Sequence, residues 1–201
     1  MIIQGSKINF KTEAIPDVSE KLMDELIREI NSLESDLERN GLNHNLSDFF
    51  DDQRNDGGNI ITNKGIFKEY GTCNSKAEKN SKSFTEYSGL YIFSEKIDNN
   101  IKPVYVGISR TIIKRLKNHA FGPSKDTATL AYLLAFGDKT DETSRHKFND
   151  NIDKIADISR LNVRNLFVYI HLYNECHYKL QLLEVLAACK FKTKWNSFKT
   201  H

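Results

Sequence analysis

A β-hairpin running straight into a basic helix, between Ser88 and His119, constrains this chain more than any other stretch. Gly89-Leu90-Tyr91-Ile92-Phe93 is a short apolar, aromatic run, as a buried strand requires. Asp98-Asn99-Asn100 carries turn chemistry, because Asn and Asp tolerate left-handed backbone and bond their own main chain. Val104-Tyr105-Val106-Gly107-Ile108 reads as the returning strand. Ser109 is predicted to cap a helix over about Arg110 to Ala120. Tyr91 and Tyr105 then fall on adjacent strands, and Arg115 and His119, four apart, share one helix face.

The rest of the chain is arranged around this unit. Ile2 to Phe10 reads as a short strand or an arm. Leu22, Met23, Leu26, Ile30, Leu33 and Leu37 recur at helical spacing and predict an amphipathic helix over about residues 18–40, ending near Asn40-Gly41. Its polar face is acidic, and its apolar stripe must pack on the core or on a partner subunit. Leu42 to Glu86 is weakly patterned: Ile60-Ile61 and Gly65-Ile66-Phe67 are candidate short strands, and Cys73 to Ser83 is a polar loop. Past the basic helix, Thr127 to Phe136 predicts a helix that Gly137 ends, Asp138 to Asn151 a charged surface excursion, and Ile152 to Ile158 another helical turn or two. Leu166 to Tyr173 (LFVYIHLY) alternates as a strand, with Leu166, Val168, Ile170 and Leu172 on one face and Phe167, Tyr169, His171 and Tyr173 on the other. Glu175 to Lys190 is the last long helix, and Thr193 to His201 a closing tail. The order predicts an α+β fold: a small three-stranded antiparallel sheet flanked by helices, with an N-terminal helical extension.

At 201 residues the chain is one domain, or one domain with an extension. The net charge of +2 does not by itself announce nucleic acid, but its distribution does. From Ile101 to Lys125 the chain carries Lys102, Arg110, Lys114, Arg115, Lys117 and Lys125 and no carboxylate. From Cys176 onward Glu184 is the only acid among five lysines. Such asymmetry is the footprint of a polyanion-binding face, although Lys-rich helices are also commonly just solvated. Cys73, Cys176 and Cys189 lack metal-site spacing and are odd in number; Cys189, in an apolar helical run, is expected to be a buried thiol. With no signal-peptide pattern and no apolar run long enough for a membrane, the expectation is a reducing, cytoplasmic protein without disulfide or zinc.

Gly89-Leu90-Tyr91 followed by Tyr105-Val106-Gly107 resembles the paired tripeptides of the GIY-YIG nucleases. The resemblance runs on through Arg115 and His119, then Glu184 in LQLLEVLAACKF and Asn196 in KWNSF, and covers roughly Tyr87 to the C-terminus. Leu90 and Val106 replace isoleucines of the family pattern, and a long segment intervenes before the third strand. The resemblance implies a metal-dependent endonuclease that hydrolyses DNA phosphodiester bonds. Its core would occupy residues 86–201 with an excursion at about 121–160, and residues 1–85 would serve recognition or dimerisation. It implies catalytic roles for Tyr91, Tyr105, Arg115, His119, Glu184 and Asn196. Lys102, Arg110, Lys114 and Lys117 stand as DNA-binding candidates.

The residue types suit those roles, and each has an ordinary reading beside the catalytic one. Glu184 is a hard oxygen donor for Mg²⁺ or Mn²⁺, and by spacing alone a surface carboxylate balancing Lys190 or Lys192. Arg115 offers a planar, permanently charged fork for phosphate, or is a plain surface charge. His119 would donate to the phosphate or join a proton relay. Tyr91 and Tyr105 would ordinarily be core aromatics; a tyrosine is a poor base at its usual pKa of about 10, and nearby cations would have to lower it. By resemblance one of them, Tyr91 ahead of Tyr105, activates water. Gly107 allows close approach, Asn196 braces the site by hydrogen bonding near Tyr91 or Glu184, and Lys102 reaches toward the same pocket. The absence of zinc cysteines and of room after Asn196 for an appended module favours a type II restriction endonuclease over a repair, phage-type or mobile-element nicking enzyme. A catalytically inactive nucleic-acid-binding module is the reading outside the enzyme class. Cutting both strands of DNA with one-strand sites calls for a homodimer, with the 18–40 helix as candidate interface.

Overall fold

The computed structural model describes residues 16–54, 60–70, 88–137, 139, 141–173 and 176–196. The expected N-terminal strand or arm and the Cys73–Ser83 loop lie outside them. The elements are α1 (Glu20–Asn40), a 3₁₀ turn (Leu46–Phe49), β1 (Phe50–Arg54), β2 (Ile60–Thr62), α2 (Lys64–Glu69), β3 (Gly89–Ile97), β4 (Asn100–Ser109), α3 (Ile112–Phe121), α4 (Thr129–Phe136), α5 (Glu142–Asn149), α6 (Ile155–Arg164), β5 (Phe167–Leu172), α7 (His177–Phe191) and β6 (Trp195–Asn196).

The hairpin forms as its turn chemistry requires. Asp98 and Asn99 both take positive φ, at 48° and 66°, in the two-residue turn that matches strand twist. The antiparallel register sets Tyr91 opposite Gly107 and Phe93 opposite Tyr105, with an irregularity after Phe93. β5 lies antiparallel on the other side of β3, pairing Ile170 with Tyr91.

The α+β class stands, but the three-stranded antiparallel sheet is corrected to four mixed strands in the order β5-β3-β4-β6. The fourth strand comes from the stretch read as a closing tail: Trp195 and Asn196 pair in parallel with Tyr105 and Val106. A separate two-stranded sheet joins β1 and β2, so Ile60-Ile61 is a strand as expected. Gly65-Ile66-Phe67 is not; it belongs to α2, which Asn63 caps by accepting from Gly65 N. Ser109 ends β4 rather than capping the next helix, whose N-cap is Thr111.

The sheet is buried on both faces. On one, Tyr91, Phe93, Tyr105, Val168 and Ile170 join Ile112 and Leu116 of α3, Leu130 and Tyr132 of α4, Phe148 of α5 and Val163 of α6. On the other, Leu90, Ile92, Val106, Tyr169 and Tyr173 meet the α1 stripe and Leu180, Leu183 and Ala187 of α7. Leu22, Leu26, Ile30, Leu33 and Leu37 are all buried there, each contributing about 1.5–3 kcal/mol of apolar transfer. The α1 stripe is thus used within the chain. Ion pairs Glu25–Lys179 (2.7 Å) and Glu34–Lys190 (2.9 Å) and a Glu29–His171 contact of 2.8 Å join its acidic flank to β5 and α7. α7 is apolar around most of its circumference, and the sheet and α1 take the Leu180–Leu183–Ala187 side. Cys189 falls on the other side and is exposed, correcting the expected buried thiol.

The outer edge of β5 is covered at its start, around Leu166 to Val168. Leu46 N donates to Leu166 O and Val168 N to His44 O, both at 2.9 Å, around a bridge between Asn45 and Phe167. The Tyr70 hydroxyl donates to Val168 O at 3.3 Å. Among the described residues, no helix is long and apolar enough to cross a membrane.

Candidate functional site

Four of the six expected catalytic residues form one cluster on the α3 face of the sheet. Tyr91 and Tyr105 come from neighbouring strands, their rings stacked with centroids 6.1 Å apart. α3 supplies Arg115 and His119 from one face, as the four-residue spacing predicts. The Tyr91 hydroxyl is the hub: His119 Nε2 lies 3.0 Å away, and Arg115 Nε donates to it at 3.3 Å. The imidazole is walled edge-on by Tyr91, Phe93 and Tyr105 at centroid distances of 5.3–5.5 Å.

Gly107 makes this packing possible. A Cβ at that position would come within 2.5 Å of the Tyr91 hydroxyl and 2.8 Å of Tyr105 Cε1. The close approach expected at Gly107 therefore serves the two tyrosine rings.

Tyr91, Tyr105 and His119 are fully buried, and Arg115 is the most exposed of the six residues. Burial decides the electrostatics. It pushes the Tyr91 phenol above its usual range, against the opposing pull of the Arg115 charge and hydrogen bond, while Glu184 adds to the rise. Tyr105 is pushed higher still by burial and by Tyr91. Burial, helped by Arg115, holds His119 well below the usual imidazole range, so it is neutral. The expected lowering of the tyrosine pKa is corrected accordingly: with these protein groups alone, desolvation outweighs the cation. His119 is enclosed, with Nε2 at hydrogen-bonding distance from the Tyr91 phenol.

Arg115 is held by a segment that the sequence pattern did not single out. Its Nη1 donates to the carbonyls of Asp126 (3.5 Å) and Thr127 (3.3 Å), and its Nη2 to Thr129 Oγ1 (3.2 Å). The stretch TATLAYLLAF reads as helix, and nothing in it marks Thr129 as a partner for a residue fourteen positions earlier.

Glu184 is buried on α7, 6% exposed, and its charge reaches Tyr91. Asn196 is buried next to this region through the pairing with Val106, which puts it on the α7 side of the sheet, opposite the tyrosine rings. Its Oδ1 has no hydrogen-bond partner. The Tyr105 hydroxyl and His119 Nδ1 are likewise buried without partners. Unpaired buried polar atoms are costly, and those at Tyr105 and His119 on one face of the sheet, like Asn196 Oδ1 on the other, leave places for water or ligand partners.

The oxygen donors suit a hard cation. Mg²⁺ is commonly held by one or two carboxylates and keeps several waters, so the Glu184 carboxylate and the unpaired Asn196 Oδ1 are each of the right donor type. Among the described residues, no group of three or more His, Cys, Asp or Glu could hold a metal ion.

The basic residues divide. Arg110 and Lys114 are exposed at the start of α3, and Lys117 donates to Ile60 O at 3.5 Å, joining α3 to β2. Lys102 stands across from Glu95 toward the hairpin turn, with Nζ 3.9 Å from its carboxylate, and does not join the tyrosine cluster as expected.

No protein-family model matches the chain, and neither a curated protein nor a solved structure matches it.

Proposed function

We propose that this chain is a metal-dependent endonuclease of the GIY-YIG type, cleaving DNA phosphodiester bonds in the manner of a type II restriction enzyme. The observation that carries the reading is the Tyr91 hydroxyl held between Arg115 and His119, over a glycine that makes room for it. His119 Nε2, at hydrogen-bonding distance, accepts the Tyr91 phenol proton, and the phenolate so formed takes a proton from the attacking water. Arg115 stabilises the resulting phenolate and meets the phosphate on its exposed side. Water and phosphate approach along Arg115, because the two tyrosines are enclosed. Glu184 would hold Mg²⁺ or Mn²⁺, which would supply charge at the phosphate and the leaving oxygen. Arg110 and Lys114 contact the DNA backbone nonspecifically. The protein is cytoplasmic in this reading and cuts both strands as a homodimer, with an interface outside the buried stripe of α1.

The test is cleavage of supercoiled and linear DNA with Mg²⁺, comparing wild type with Glu184→Ala and Glu184→Gln. Discrete linear fragments, lost in both variants while the fold melts normally, are the expected result. Nicks alone would move the assignment to a repair, phage-type or mobile-element nicking enzyme. DNA binding without any cleavage by the wild type would replace it with a non-catalytic binding module. Sedimentation with and without DNA checks the dimer; a monomer in both conditions would remove it.

A further inference from the structure

Arg115 has five N–H donors, and the fold engages them heavily. Nε goes to Tyr91, Nη1 to two main-chain carbonyls and Nη2 to Thr129 Oγ1, with the Tyr105 hydroxyl also beside the guanidinium. The polarity at Thr129 is fixed. Its hydroxyl has a single proton, which it donates to Asp126 O at 3.4 Å, so it meets Arg115 as an acceptor. Thr129 is also the first residue of α4, whose preceding residue, Ala128, makes no side-chain cap. A guanidinium beside a helix N-terminus faces the positive end of the helix dipole and is disfavoured there. Acceptors must offset that, and the Asp126 and Thr127 carbonyls and Thr129 Oγ1 are the ones supplied.

We propose that Thr129 is the positioning residue for Arg115: its hydroxyl, committed as a donor to Asp126, presents the lone pair that fixes the guanidinium with Nε on Tyr91 and its more exposed side toward substrate. The catalytic part of this assignment rests on the nuclease reading; the anchoring part does not. Thr129 is buried, so Thr129→Val keeps the shape and removes only the hydroxyl, while Thr129→Ser keeps the hydroxyl.

Two measurements separate the parts. The first is solvent exchange of the Arg115 Nε–H, followed by nitrogen-15 NMR with no DNA added. Exchange is expected to speed up by about tenfold or more in Thr129→Val, the equivalent of one hydrogen bond to a charged group, and to return to the wild-type rate in Thr129→Ser. Unchanged exchange in Thr129→Val overturns the anchoring whether or not the protein cuts DNA. The second is steady-state cleavage. Thr129→Val is expected to lower kcat by about tenfold with KM little changed, because the lost alignment acts on the transition state, and Thr129→Ser is expected to restore it. Faster exchange with kcat and KM both unchanged overturns the link to the reaction. Absence of cleavage by the wild type, with the exchange pattern as expected, supports the anchoring and removes the nuclease reading alone.

Discussion

A methyl group placed at Gly107 tests whether this strand pair is built around the Tyr91 ring. The Gly107 backbone is not in the left-handed region, so alanine is free to adopt it, and any penalty comes from contact alone. The new Cβ would lie 2.5 Å from the Tyr91 hydroxyl, 2.7 Å from Cζ and 2.8 Å from Tyr105 Cε1. Both rings are fully buried and stacked, so neither has an open direction in which to give way. Overpacking of this kind costs about 1–3 kcal/mol. Displacing the Tyr91 hydroxyl from Arg115 and His119 costs about 1–3 kcal/mol more, because it strands buried polar groups. Alanine gives back about 0.4–1 kcal/mol by restricting the unfolded chain. The net for Gly107→Ala is about 1–5.5 kcal/mol of destabilisation. At about 2–4 °C per kcal/mol for a chain of this size, Tm should fall by about 2–22 °C. The assay is thermal unfolding followed by circular dichroism, with DNA cleavage measured well below the new Tm. A Tm within a degree of wild type, with full activity, would refute the reasoning, because the rings would then have room that the geometry denies them.

The two tyrosines should separate when each is changed to phenylalanine. Tyr91→Phe strands Arg115 Nε and His119 Nε2 and should cost about 1–3 kcal/mol in urea unfolding, whereas Tyr105→Phe removes a hydroxyl that makes no hydrogen bond of good geometry and should cost less; equal losses would sink the distinction. His119 predicts a pH dependence: its folded pKa lies below the unfolded value of about 6.5, so the unfolded chain binds the extra proton as pH falls and stability declines below that point by up to about 1.4 kcal/mol per pH unit. Urea unfolding of wild type and His119→Gln between about pH 7 and 5 checks it, and an equally steep decline in the variant would show that His119 is not its source.

What the sequence disclosed follows from where the information lies. The hairpin was legible because its turn residues and its apolar runs are local, and α1 because five buried positions repeat at one period. The face shared by Arg115 and His119 needed only helix geometry. Three features depended on contacts between distant parts of the chain. β6 is two residues long and becomes a strand only because Tyr105 and Val106 offer it an edge. Gly65-Ile66-Phe67 has no periodicity of its own, and its helix is fixed by the Asn63 cap and by packing Phe67 against Phe49 and Phe50. On α7, apolar residues surround the axis, so the side that is buried is chosen by α1 and the sheet, which is why Cys189 was misplaced. The tyrosine pKa values went the other way for a related reason: the single nearby cation was visible in the sequence, and the depth of burial that outweighs it was not.

The covered edge of β5 bears on how this protein behaves in company. Phe167–Leu172 (FVYIHL) is rich in strand formers and carries no acid, lysine or arginine, a composition that recruits other chains when its edge lies open. His44–Leu46 and the Tyr70 hydroxyl occupy the start of that edge. A chain in which this strap has come loose would present a sticky strand at once, before the tyrosine cluster had been disturbed. Loss of the strap should therefore show first as aggregation and only later as loss of the fold.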